Sequence, residues 1–135
     1  MEFGSVFPTQ QMAKILVVDD EEDIRKLLVT LFEDAGYQVV TASDGKEALD
    51  VARAEHPDLI FMDILMPVMD GFQACAALRK DPETKDIFIA ILTARDMPED
   101  WDKGLQSDAD MFLAKPFQAD RLLFIARELL ALKEN

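Results

Sequence analysis

The stretch Leu59-Ile60-Phe61-Met62-Asp63 constrains the rest of the chain. An unbroken apolar run ends in a carboxylate, and turn chemistry follows at Met66-Pro67 and Asp70-Gly71. A short continuous apolar run bounded by turn signals reads as a strand buried on both faces. Asp63 then stands at the carboxyl end of that strand, the edge at which open α/β sheets bind ligands.

The other segments supply the cover such a strand needs. Lys14-Ile15-Leu16-Val17-Val18 is a second buried strand, ending in Asp19-Asp20. Ile24, Leu27, Leu28, Leu31 and Phe32 recur at helical spacing, with Gly36 as the stop. Tyr37 to Ala42 reads as a strand whose Gln38 and Thr41 suit a less buried edge. Ser43 or Asp44 caps a helix carrying Ala48, Leu49, Val51 and Ala52, and His56-Pro57 ends it, because the residue before a proline avoids the helical region. After the strand from Asp58 to Met62, Gly71 to Lys80 is a helix with Phe72, Ala76, Ala77 and Leu78 available for burial. Ile87 to Leu92 is a fourth strand, ending at Thr93; Pro98 opens a short fourth helix to about Ser107. Met111 to Ala114 is a fifth strand, ending at Lys115-Pro116, and a fifth helix runs from about Ala119 to Lys133. Strict alternation of strands and helices means a parallel sheet with helices on both faces and right-handed crossovers. Five strands in this length suit a doubly wound (βα)5 three-layer α/β sandwich of strand order 2-1-3-4-5.

Composition narrows the function classes. A chain of 135 residues is one domain, placed at residues 13–135. Residues 1–12 lack periodicity and read as a flexible lead-in in which Glu2-Phe3-Gly4-Ser5 has the look of a cloning remnant. The net charge of −13 speaks against direct binding to a nucleic-acid backbone, which needs clustered Lys and Arg. No apolar run approaches the roughly 20 residues of a membrane span, and the start lacks the regions of a secretory signal. The expected location is therefore cytoplasmic. The single Cys75 cannot form an intrachain disulfide and reads as a packing residue. His56, before Pro57 at the opposite sheet edge, reads as a surface-loop residue.

The chemistry gathers at the strand ends. Asp19-Asp20, Asp63, Thr93 and Lys115 terminate four strands that share one edge of a parallel sheet. Taken singly each has a plain alternative: Asp19-Asp20 can cap a helix, Asp63 and Thr93 can be loop residues, and Lys115 a surface lysine. Together they describe something narrower. Carboxylates within a few ångströms repel, and a hard divalent cation with oxygen ligands neutralises them; Mg2+ suits, since it takes one or two carboxylates plus phosphate oxygens. Lys115 adds a point charge and Thr93 a hydroxyl, a set that fits a phosphoryl group with an aspartate as nucleophile.

From Lys14 to Lys133 the chain resembles the receiver (CheY-like) domain of bacterial two-component response regulators. The residues that carry the likeness are Ile15-Leu16-Val17-Val18-Asp19-Asp20-Glu21, Pro57 to Asp63, Met66-Pro67-Val68-Met69-Asp70-Gly71, Leu92-Thr93-Ala94 and Lys115-Pro116-Phe117. The resemblance implies a flavodoxin-like fold and a phosphorylation-dependent signalling switch rather than an enzyme acting on other molecules. Asp63 would accept a phosphoryl group from a sensor histidine kinase or phosphotransfer protein. Mg2+ would be held by Asp20, Asp63 and the main-chain carbonyl of Leu65, with Asp19 acting through water. Thr93, Ala94 and Lys115 would grip the phosphoryl oxygens, and the aromatic at Phe112 would follow Thr93 inward. That change would remodel the surface made by the fourth helix, fifth strand and fifth helix for a downstream protein target, with a monomer or a phosphorylation-dependent dimer as the assembled state. The Lys115-Pro116 bond is often cis in the family. Leu65 and Arg95 line the mouth of the site and would tune the phosphate lifetime.

Some positions depart from the family pattern. Phe112 stands where tyrosine is commoner, so no hydroxyl is available when the ring turns. Asp108 stands where glycine is usual. Trp101 reads either as core or as a contact on the signalling face. A haloacid-dehalogenase-like hydrolase would want a second aspartate at position 65, which is Leu65, and a nucleotide or flavin module would want a glycine-rich phosphate loop, which is missing. The sequence favours a stand-alone receiver over one part of a longer regulator.

Overall fold

The computed structural model describes residues 13–64, 66–93 and 109–133, with Thr93 described by its backbone alone. The residues 1–12, Leu65, 94–108 and 134–135 fall outside that range, and with them the lead-in and the short helix expected from Pro98. Five parallel strands form one sheet in the order β2-β1-β3-β4-β5: β1 (Lys14–Val18), β2 (Gln38–Ala42), β3 (Leu59–Asp63), β4 (Phe88–Thr93) and β5 (Met111–Ala114). Among the described residues four helices accompany them: α1 (Glu22–Asp34), α2 (Gly45–Glu55), α3 (Gly71–Lys80) and α4 (Ala119–Lys133), the last being the fifth helix of the sequence reading. This is the expected doubly wound α/β sandwich.

Strand side chains alternate between two apolar layers, as the period of two dictates. Ile15, Val17 and Phe61 pack with Leu28 and Phe32 of α1 and with Leu122 and Ala126 of α4. Leu16, Val18, Ile60 and Met62 pack with Ala48 and Ala52 of α2 and with Ala74, Cys75 and Leu78 of α3. Phe32 stacks on Phe61 at 5.0 Å between centroids, joining α1 to the central strand. Each such large apolar side chain contributes about 1.5–3 kcal/mol on burial. Cys75 is fully buried, in keeping with a packing role.

Local chemistry sets the boundaries. Gly36 adopts φ 100°, a region open to glycine, and so ends α1. Asp44 rather than Ser43 caps α2, accepting the Glu47 N–H at 2.7 Å. His56 ends α2 in a left-handed conformation, φ 50° and ψ 59°, an exit from the helix that differs from the extended one expected before a proline. The side chain of Asp70 accepts from Gln73 N–H at 2.8 Å while the Gln73 side chain accepts from Asp70 N–H at 3.1 Å, a reciprocal cap on α3.

The structure corrects several expectations. β2 begins one residue later than read: the Tyr37 N–H is donated back to Phe32 O of α1 at 3.1 Å, and its ring packs edge-on to Phe32. β3 extends through Asp63, which pairs with Leu92, and β4 runs from Phe88 to Thr93. On α3 the buried face is Ala74, Cys75 and Leu78, whereas Ala76 is exposed. Leu27 and Leu132 sit at helical spacing with core residues but point outward. Edge strand β2 is polar and half-exposed, as Gln38 and Thr41 led one to expect.

Candidate functional site

Parallel register brings the strand ends to one edge. Val18 pairs with Met62 and Asp63 with Leu92, so Asp19, one residue past Val18, comes level with Asp63. Thr93 lies one residue beyond Leu92 and pairs with Ala114, next to Lys115. The backbone thus delivers Asp19, Asp63, Thr93 and Lys115 to a single rim.

The described side chains converge there. Lys115 Nζ lies 3.2 Å from Asp19 Oδ2 and 3.3 Å from Asp63 Oδ1, bridging two carboxylates from neighbouring strands. Asp19 and Asp63 are 1% and 7% exposed, while Asp20 faces solvent. Asp19, Asp20 and Asp63 each offer one carboxylate oxygen, all within 4.8 Å of one another. The Lys115-Pro116 peptide bond is cis.

The helix-cap alternative for Asp19-Asp20 does not hold. The N-cap of α1 is Glu21, without a side-chain cap hydrogen bond; Asp19 Oδ1 instead accepts the Glu21 N–H at 2.9 Å. Each oxygen of Asp19 is thereby engaged within the chain, one by an amide and one by an ammonium.

Burial drives the electrostatics. It pushes the Asp63 carboxyl above the usual aspartate range; Asp19 raises it further, and the Lys115 charge and the Ile64 N–H work the other way. Burial alone would depress the Lys115 ammonium, but Asp63 and Asp19 outweigh it and raise its pKa, so Lys115 stays charged. Three carboxylates against this one ammonium leave an excess of two negative charges when all are ionised. A divalent cation with hard oxygen preference fits that donor set.

Among the other singled-out residues, Phe112 of β5 stacks on Phe72 of α3 at 6.2 Å with a 12° interplanar angle. A groove of about 460 Å³ runs beside it, lined by Leu113, Pro116, Phe117 and Arg121 among others. His56 is exposed at the far end of the sheet, as read. Leu65, Ala94, Arg95, Trp101 and Asp108 lie outside the described residues. Sequence reasoning missed two contributors. Arg25 Nη1 donates to the Asp19 carbonyl at 2.6 Å, and its place, one turn into the helix that follows Asp20, was the available signal. Gly71, read as the start of a helix, also anchors α3 against the site through its N–H donated to Ile64 O at 2.9 Å.

Comparison with known proteins places this geometry in a family. A probable transcriptional regulator ycf27 of Cyanophora paradoxa is 46% identical over 122 residues, covering 90% of this chain and 50% of the relative. The chain spans about half the length of the curated relatives it matches. Among solved structures, the chemotaxis response regulator CheY4 of Vibrio cholerae superposes with a TM-score of 0.82 at 40% identity, covering 87% of this chain and 98% of that one. The receiver domain of sensor histidine kinase PA1611 from Pseudomonas aeruginosa PAO1, which holds a magnesium ion in its active-site cleft, superposes with a TM-score of 0.83 at 29% identity, covering 89% of this chain and 98% of that one. The response regulator receiver domain profile matches residues 15–127, and the chain belongs to that family of two-component signalling modules.

Proposed function

We propose that this receiver domain is a phosphorylation switch in which Asp63 takes a phosphoryl group from a phosphohistidine of a sensor histidine kinase or phosphotransfer protein. The observation that carries the reading is the Lys115 ammonium held within 3.3 Å of both Asp19 and Asp63 in an otherwise acidic cluster. In the transfer, an Asp63 carboxylate oxygen attacks phosphorus, the P–O bond forms as the P–N bond breaks, and the imidazole leaves with the bonding electron pair. Lys115 stays protonated and meets the developing charge on the phosphoryl oxygens. Asp20 and Asp63, with the Leu65 carbonyl, would hold Mg2+, and Asp19 would act through water because its own oxygens are engaged. When bound, Mg2+ supplies charge neutralisation to the transferring phosphoryl group.

Thr93 and the backbone at Ala94 are assigned to the phosphoryl oxygens, and Leu65 and Arg95 to phosphate lifetime. Phe112, which lies against Phe72, and Trp101 belong to the face that a downstream protein would read, beside the groove along β5 and α4. The regulation of transcription belongs to relatives about twice as long; the switch proposed here is confined to the shared half. Among the described residues no helix is long and apolar enough to cross a membrane.

Acetyl phosphate with Mg2+ should label the protein, and Asp63→Asn should abolish the label; undiminished labelling of that variant refutes the assignment. Beryllofluoride with Mg2+ should change Trp101 fluorescence. Lys115→Ala should still accept phosphate but lose the fluorescence change, and a normal response in that variant removes the role given to Lys115.

A further inference from the structure

The peptide joining Asp19 to Asp20 is held by a residue outside the acidic cluster. Arg25, in the first turn of α1, places Nη1 2.6 Å from the Asp19 carbonyl oxygen, a short charge-assisted hydrogen bond. Asp19 N–H donates to Ala42 O at 3.2 Å, so this residue is held by β2 on one side and by α1 on the other. Glu21, the N-cap of α1, makes no side-chain cap of its own, and the Glu21 N–H donated to Asp19 Oδ1 at 2.9 Å is the other tie between this loop and the helix. Asp20, by contrast, is exposed, and among the described residues no hydrogen bond or ion pair engages its carboxylate.

We propose that Arg25 is a positioning residue for the divalent cation. By clamping the Asp19 carbonyl it fixes the backbone from which Asp20 presents its carboxylate toward Asp63, and so sets the affinity of the cluster for Mg2+. This rests on the reading of Asp19, Asp20 and Asp63 as a Mg2+ site. Two effects of Arg25 oppose each other, and their signs separate them. Its positive charge repels a dication, so removing it would tighten Mg2+ binding. Its hydrogen bond orders the loop, so removing it would loosen binding, and partners that orient metal ligands matter by 10–100-fold in affinity as a rule of thumb, roughly. A half-exposed guanidinium is screened by water, so the ordering effect dominates.

Calorimetric Mg2+ titration of the full chain tests this, with Asp20→Asn and Asp63→Asn as controls. Binding by the parent that both controls weaken establishes the site; a parent that takes up no Mg2+ would instead remove the site reading itself. Arg25→Ala should then raise the Kd for Mg2+ about tenfold. A Kd unchanged or lowered in Arg25→Ala overturns the proposal, including the case in which the metal-free unfolding temperature falls while the Kd stays put. If Arg25→Ala lacks a cooperative unfolding transition, Arg25→Gln serves: it removes the charge and shortens the arm, so a raised Kd supports the clamp and an equal or lowered one refutes it. The amide signals of Asp20 and Glu21 should broaden in the metal-free variant while those of β3 stay sharp.

Discussion

The β-carbon that Gly71 lacks would stand 2.5 Å from the carbonyl oxygen of Asp63. It would also meet Ile64 Cα at 3.0 Å, so the obstruction is backbone and cannot rotate aside. A side chain here would push α3 and the residue assigned to accept phosphate apart. Gly71→Ala is expected to cost about 1–3 kcal/mol, as overpacking does, and to slow phosphorylation from acetyl phosphate. Chemical denaturation and labelling rates check both halves, and a variant with parental stability would show that α3 and β3 can part without cost.

Asp63 itself is kept at a cost to the fold. Its folded-state pKa is raised, first by burial and then by Asp19. A carboxyl whose folded value exceeds its unfolded value contributes stability below the unfolded value and loses it as pH rises through the folded one. At pH 7 the ionised group is therefore a liability. Asp63→Asn should be more stable than the parent at pH 7 without Mg2+, and the gap should shrink toward pH 3. With Mg2+ at one hundred times its Kd the parent should gain about 2.7 kcal/mol, a gain Asp63→Asn should largely lack. Thermal unfolding with and without Mg2+ reads both effects; an asparagine variant less stable than the metal-free parent contradicts the assignment.

The strands and helices were legible because their periods were clean: β5 and α3 run over the residues their apolar patterns gave. Convergence of Asp19, Asp63 and Lys115 was legible too, because parallel register carries strand ends to one edge whatever the side chains do. The pattern said less about partners across elements. Arg25 sits at an ordinary helical position, and its bond to the Asp19 carbonyl depends on the angle at which α1 leaves the loop. Leu27 shares the spacing of the α1 core residues yet is 57% exposed, since the apolar stripe is wider than the surface that covers it. Gly71 read as the first residue of a helix, while its need for a missing side chain comes from β3, eight residues away in sequence.

Tyr37 gives an alkaline counterpart to Asp63. Its phenol is buried between α1 and β2, which raises its pKa above 10.0, with Arg127 opposing the shift. The unfolded chain releases this proton first, so the folded state loses stability as pH climbs from 10.0 through the folded value. Tyr37→Phe should remove that share of the loss. Urea midpoints of parent and variant, followed from about pH 8 to pH 11, should diverge above pH 10.0 in favour of phenylalanine. Parallel curves across the range would show that the phenol titrates freely.

Val68 sits at the tip of the loop between Asp63 and Gly71 at φ 71°, with Met69 N–H donating to Pro67 O at 2.7 Å. That is a γ-turn of the positive-φ kind, which is strained. A β-branched residue there costs on the order of 1–2 kcal/mol, and the side chain is 78% exposed, so little burial offsets the cost. Asparagine tolerates this backbone without the added chain entropy of glycine. Val68→Asn should therefore stabilise the domain by about 1 kcal/mol and raise the unfolding temperature by about 4 °C. Calorimetry on the two proteins decides it: an unchanged or lowered transition would mean that the loop relaxes out of the turn in solution and that no strain is stored beside Asp63.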